Sequence, residues 1–314
     1  MSRVRQRRLT PADANRMTSE QEHAVASSRR AMFQLNVAVA LFGLAGLLGK
    51  VTAASALMIV MGRTVFGTAA FAALFGIGLL PRPNVPVKSL LKLAWPGLLL
   101  AIHWVTFFQS IRTSSVAIAL LSYSSFPAFV TLVEPMIFRE PRRRIDAVTA
   151  LLVVMGLAVL TPNLDPRDAA TVGVAWGVLS GITFAAVILL NRRFASELPP
   201  VTIAAGQNLF AALAMVTLLP LYYKPLQPRD WLLLVVLGVV FTALAHFLFI
   251  QSLMNMRVQL ASIVSALESI YGGLFAWLLL GETPTLRTWC GGALILAAVV
   301  IGASAHPSQV NEPL

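Results

Sequence analysis

The stretch from Val258 to Leu280 leaves this chain the fewest choices. It reads VQLASIVSALESIYGGLFAWLLL, and Glu268 is its one acidic residue. About 22 apolar or small residues in a row match the thickness of a bilayer's hydrocarbon core when wound as a helix. Lipid offers no hydrogen bonds to a backbone, so such a run must satisfy its own amides, and a helix does that. The run closes on Gly281-Glu282, with Pro284 just beyond. The same plan occurs earlier, from Val116 to Phe138, closing on Glu140 and followed by Pro141. The two copies lie on each other without a gap.

Runs of this kind recur along the chain. Their limits predict spans at roughly 31–49, 55–80, 90–111, 115–138, 146–162, 171–192, 200–222, 230–252, 258–280 and 286–304. Turn residues separate them, as at Pro81-Arg82-Pro83-Asn84 and Pro199-Pro200. Charged residues make up 12% of the chain, against about 25% in a soluble domain. The expected fold class is therefore all-α integral membrane, with ten transmembrane helices. Residues 1–30 form a polar tail, expected to be disordered and cytoplasmic, and lack the apolar segment of a secretory signal. Residues 305–314 form a second tail. The net charge of +11 does not point to nucleic acid, because the arginines sit at the ends of apolar runs and are not interleaved with aromatics. They gather on alternate loops and on the N-terminal tail, which places both termini in the cytoplasm. A lone cysteine, Cys290, excludes an internal disulfide.

A shift of 142 residues carries Phe42 onto Phe184, Lys50 onto Arg192, Pro83 onto Pro225 and Pro86 onto Pro228. It also carries Phe107 onto Phe249, Gln109-Ser110 onto Gln251-Ser252, and Glu140 onto Glu282. Matches of Leu or Ala mean little in such a composition, but Pro, Gln-Ser and Glu in one register are informative. The chain thus divides into two repeats of five spans, 31–163 and 171–304. Five is odd, so the second repeat enters the membrane from the opposite side. Inverted repeats are the architecture of secondary transporters, whose two halves rock about a central site.

The Phe42-Gly43 step in span one, Arg63 in span two, Ser122 to Pro127 in span four and the helix-end residues Glu140 and Gly281-Glu282 carry a resemblance to a known group. In that order and spacing the chain resembles the EamA-type exporters of the drug/metabolite transporter superfamily. The resemblance covers nearly everything after Arg30. It implies export of amino acids or related metabolites across the inner (plasma) membrane by alternating access. Exporters of aromatic amino acids belong to the group. It also implies a cavity lined by spans one, three, four, six, eight and nine.

Polar and ionisable residues inside a membrane are costly and normally face the bundle or a cavity. Glu268 shares a helix face with Ser265, Ser269 and Gly272, and suits a substrate amine or a proton. A structural, hydrogen-bonded Glu fits the same pattern. His103 beside Trp104 in span three, and His246 in span eight, suit proton carriage or a bond to a substrate carboxylate, or simply join helices. The candidate substrate contacts are therefore His103, Trp104, Phe107, Tyr123, Phe126, Trp176, His246, Ser265, Glu268 and Ser269, with Glu268 and His103 as coupling candidates. Pro127 is expected to kink span four beside Tyr123 and Phe126. Arg63 has two outlets: a pair with Glu134 or Glu268, or snorkelling to the interface. Glu140 and Glu282 are expected to pair with arginine or to cap the following helix. Trp95, Trp231, Trp277 and Trp289 read as interface anchors.

The chain carries no phosphate-binding GxxxxGK[ST] loop, no nucleophile elbow and no HExxH or Cys/His metal cluster. The expectation is no enzyme, no cofactor and no metal. The partners are a small-molecule substrate and the lipid bilayer, with no nucleic acid. A monomer and a homodimer both fit. A membrane-embedded enzyme and a channel are the competing classes, and saturable counterflow separates a carrier from both.

Overall fold

A computed structural model describes residues 11–138, 144–161, 163, 165–253 and 258–305. Helices occupy all ten expected positions. Span one is the end of a longer helix, Pro11–Val51. Span two is Ala56–Gly76, and span three is Ala94–Thr113, preceded by a short turn of helix at Val87–Leu91. Span four comes in two pieces, Val116–Tyr123 and Phe126–Phe138, and span five is Arg144–Leu160. Span six is Ala169–Phe194, and span seven is Pro200–Thr217 with a last turn at Leu219–Tyr222. Span eight runs as Pro228–Gly238, a π-helical turn at Val239–Leu244, and Ala245–Leu253. Spans nine and ten are Val258–Leu280 and Leu286–Ala305. Among the described residues, seven helices are long and apolar enough to cross a membrane.

The tail differs from expectation: it is helical from Pro11 onward and continuous with span one. Pro11 sets the first helical φ, and the Ala, Gln, Glu, Arg and Met that follow are strong helix formers, so polarity there does not mean irregular chain.

Local chemistry explains where helices begin and end. The Ser55, Ser115 and Asp168 side chains accept from the backbone amides of Met58, Ile118 and Thr171, capping spans two, four and six. Span nine stops at Gly281, whose φ of 68° suits only a residue without Cβ. In span four the interruption falls at Ser124-Ser125 rather than at Pro127. Pro127 occupies the first turn of the helix that follows, where its missing N–H costs nothing.

The packing shows what the repeat builds. Span one packs on spans eight and nine, and span six packs on spans three and four. Span two meets span eight, as span seven meets span three. Span two meets span seven, and span five meets span ten. Exchanging the two repeats turns this set of contacts into itself, so the halves are related as a pseudo-twofold pair. Large apolar side chains such as Leu151, Val154, Leu278 and Leu279 face outward, as a lipid-facing surface requires.

One end of the bundle is tied by polar contacts. Lys50 lies 3.6 Å from Glu282 and donates to the carbonyls of Ile111 and Ser114, both at 2.9 Å. Glu282 in turn accepts from the Val116 amide at 2.9 Å. It caps span four, a helix of the other repeat, and not the helix that follows it. Thr52 and the Ala53 amide both donate to Asp230 at 2.9 Å.

Candidate functional site

Among the described residues the helices leave a central cavity walled from both repeats. Span one supplies Phe42 and Ala45, span two Arg63, and span three Leu100, His103, Trp104 and Phe107. Span four gives Tyr123, span six Phe184, span eight His246 and Phe249, and span nine Glu268. The wall is largely aromatic. The His103 ring lies 4.7 Å from Phe184 and 5.3 Å from Tyr123 between centroids, and Phe42 meets Phe249 edge-on at 5.8 Å.

Arg63 is 2% exposed, so it does not snorkel. Its Nε donates to Thr242 Oγ1 at 2.8 Å and its Nη2 to the Phe241 carbonyl at 3.3 Å. Both acceptors belong to the π turn of span eight, where the widened helix loosens the usual backbone pattern. The guanidinium also lies over the Trp104 ring, 4.1 Å from its centroid. A desolvated cation–π contact of this kind is worth about 2 kcal/mol. Glu134 is not its partner, because Glu134 pairs with Arg192. Glu268 faces the same cavity, 6% exposed, without a hydrogen bond or a close ion pair among the described residues. The cavity thus holds one cation, fixed in place, and one carboxyl group.

The two histidines are held from outside the cavity. His103 Nδ1 lies 3.2 Å from the Ser180 carbonyl and 2.8 Å from the Ser180 hydroxyl. His246 Nε2 lies 3.0 Å from Gln207 Oε1, and Gln207 Nε2 donates to Asn191 Oδ1.

Of the residues expected at the site, His103, Trp104, Phe107, Tyr123, His246 and Glu268 meet here. The others do not. Phe126 sits one layer back, stacked on Tyr123 at 5.3 Å and edge-on to Phe184 at 5.1 Å. Ser269 bonds Ser124 Oγ at 2.6 Å and the Leu120 carbonyl at 3.0 Å, joining span nine to the interruption in span four. Ser265 is buried off the wall, and Trp176 is half-buried away from it. Among the anchors, Trp95, Trp277 and Trp289 are exposed, whereas Trp231 packs edge-on against Phe66 at 6.5 Å. Glu140 lies outside the described residues.

Sequence reasoning passed over Phe42, Phe184 and Phe249 as cavity residues, and offered Arg63 an ion pair or the interface rather than a place in the wall. The signal for the phenylalanines was present, because the repeat register pairs Phe42 with Phe184 and Phe107 with Phe249. All four line the cavity, one on each of spans one, three, six and eight. Residues matched across the repeat sit at equivalent places about the pseudo-twofold axis, so if Phe42 and Phe107 reach the central space, Phe184 and Phe249 reach it too.

The comparisons agree with this architecture. A solved crystal structure superposes with a TM-score of 0.62 at 19% identity, covering 87% of this chain and 96% of the other, a likeness of fold. A transporter of Archaeoglobus fulgidus is 32% identical over 69% of this chain and 76% of its own length. An inner membrane transporter of Salmonella typhimurium, YicL, is 26% identical over 63% of this chain and 67% of its own. The model of the EamA-like transporter family matches twice, at residues 29–161 and 171–303. The two matches stand 142 residues apart at both ends, the register that pairs the phenylalanines. This multi-pass membrane protein of two repeats around one aromatic cavity belongs to the EamA-like transporter family.

Proposed function

We propose that the chain is a secondary active exporter of amino acids or related small metabolites, working by alternating access across the inner membrane. The observation that carries this reading is the presence of Arg63 and Glu268 in one cavity whose wall is largely aromatic. A solute with a carboxylate, an ammonium group and a bulky apolar body is the complement of such a wall. Aromatic and large aliphatic amino acids fit that description best. Ten spans in two inverted repeats, with both termini cytoplasmic, give the carrier its two-sided access. Glu268 and His103 are the groups placed to couple a proton.

The test is uptake into proteoliposomes containing the purified protein, with a panel of labelled amino acids and unlabelled solute trapped inside. Saturable uptake stimulated by the trapped solute is the expected result, strongest for aromatic amino acids. A pH gradient that accelerates it assigns the coupling to protons. Uptake of none of the panel removes amino acids as the substrate class.

A further inference from the structure

The hydrogen bonds behind the two cavity histidines fix which nitrogen of each ring is bare. A neutral imidazole carries one N–H and one acceptor nitrogen, and the partner of one nitrogen decides the state of the other. The Ser180 carbonyl at 3.2 Å is an acceptor only and the Ser180 hydroxyl at 2.8 Å can also accept, so a protonated Nδ1 satisfies both, whereas a bare Nδ1 would set its lone pair against the carbonyl. That leaves His103 Nε2 as the acceptor. The Ser180 hydroxyl, 3.1 Å from the His103 carbonyl, donates there. Gln207 works by the same logic at one remove. Its amide nitrogen is engaged by Asn191 Oδ1, so Gln207 presents its oxygen to His246. His246 Nε2 must then carry the proton, and Nδ1 is the acceptor.

Both bare nitrogens border open space. Among the described residues, the unpartnered side-chain atoms sealed from any space are Thr68 Oγ1, Thr202 Oγ1 and Asn208 Oδ1. Among the described residues His103 Nε2, His246 Nδ1 and the Glu268 oxygens have no hydrogen-bond partner, and they are not among those sealed atoms. Their rings and carboxyl group line the cavity. Three acceptors of different origin therefore face one space, beside an Arg63 whose Nε and Nη2 are bonded elsewhere and whose Nη1 is left for a substrate carboxylate.

We propose that Gln207, outside the cavity, and the Ser180 carbonyl hold the two histidines as opposite tautomers. Two ring nitrogens and Glu268 then form an acceptor set that selects solutes bearing an ammonium group. This rests on the cavity being the substrate site. Gln207 acts as a positioning residue for specificity and touches no substrate. A solute lacking the amine leaves the acceptors unpaired, which is the strongest form of discrimination a polar site has.

The experiment is nitrogen-15 NMR of the full-length protein, ring-labelled at its 4 histidines, with signals assigned by His103→Gln and His246→Gln variants. The expected result is His103 protonated at Nδ1 and His246 at Nε2. Finding His246 protonated at Nδ1, or either ring carrying two protons, overturns the proposal without touching the transport reading. In parallel, Gln207→Met removes the oxygen at similar volume. Gln207→Met should mix the His246 tautomers and cut the preference for an amino acid over its deaminated analogue about tenfold, one charge-assisted hydrogen bond's worth. An unchanged preference in a folded Gln207→Met protein also overturns the proposal.

Discussion

Arg63 and Glu268 share a cavity but not a role. Arg63 is held at two nitrogens and covered by Trp104, so its charge is part of the wall. Lysine keeps the charge but has neither the fork nor the flat face. We expect Arg63→Lys to lower both uptake and the thermal unfolding temperature in detergent, by an amount matching about 1.5–3 kcal/mol for a charge-assisted hydrogen bond. Among the described residues Glu268 makes no hydrogen bond, so Glu268→Gln should leave the unfolding temperature close to the native value. Uptake of an amine-bearing solute should fall about tenfold or more. A Glu268→Gln protein that transports like the native one at every pH removes Glu268 from both binding and coupling.

Helix packing decides how close the charged wall stands. Gly43 of span one lies against Gly272 of span nine, where a Cβ would come within 2.9 Å of the Gly272 amide nitrogen and 3.2 Å of the Glu268 carbonyl. Those neighbours are backbone and cannot swing aside. Gly43→Ala must push spans one and nine apart, at a cost of about 1–3 kcal/mol. Thermal unfolding checks this, with Gly273→Ala as the control, since nothing lies within 4 Å of a Cβ there. At this scale the sequence was largely readable. Apolar length located the helices, and the Phe42-Gly43 step and Gly272 lay in stretches already marked. What escaped it has a common cause. Arg63 is received by the Phe241 carbonyl, and every residue has a carbonyl, so composition gives no hint of which one is loosened by a π turn. The break at Ser124-Ser125 arises because Ser122, Ser125 and Ser269 hydroxyls take up backbone carbonyls around it. Pro127 nearby drew attention for the right reason and sits two residues from the actual break.

Over the whole molecule, the bodies that pack together are not the two repeats. Span one packs on spans eight and nine and span two on span eight, while span three packs on spans four, six and seven and span four on span six, with spans two and seven meeting between the two groups. Each body takes two spans from each repeat, and the cavity lies on the seam. Lys50 to Ile111 and Ser114, and Glu282 to Val116, cross that seam at one end. The pairs Arg192–Glu134 and Lys92–Glu197 each stay within one body. If the bodies rock, the Lys50 end must part in every cycle. Cysteines placed as Lys50→Cys and Ser114→Cys, one on each body and in contact across the seam, with Cys290→Ser, should stop transport when cross-linked and release it on reduction. Cross-linked protein that still transports would refute an opening at that end.

This interleaving also bears on how the molecule comes into being. Span one is made first, yet its main neighbours, spans eight and nine, are made late, with only span ten to follow. Through most of synthesis it waits in the bilayer with its Phe42-Gly43 face uncovered, held by lipid alone. The first repeat made without the second should therefore be degraded. Two fragments divided between Leu160 and Ala169 and made together should find each other and recover uptake.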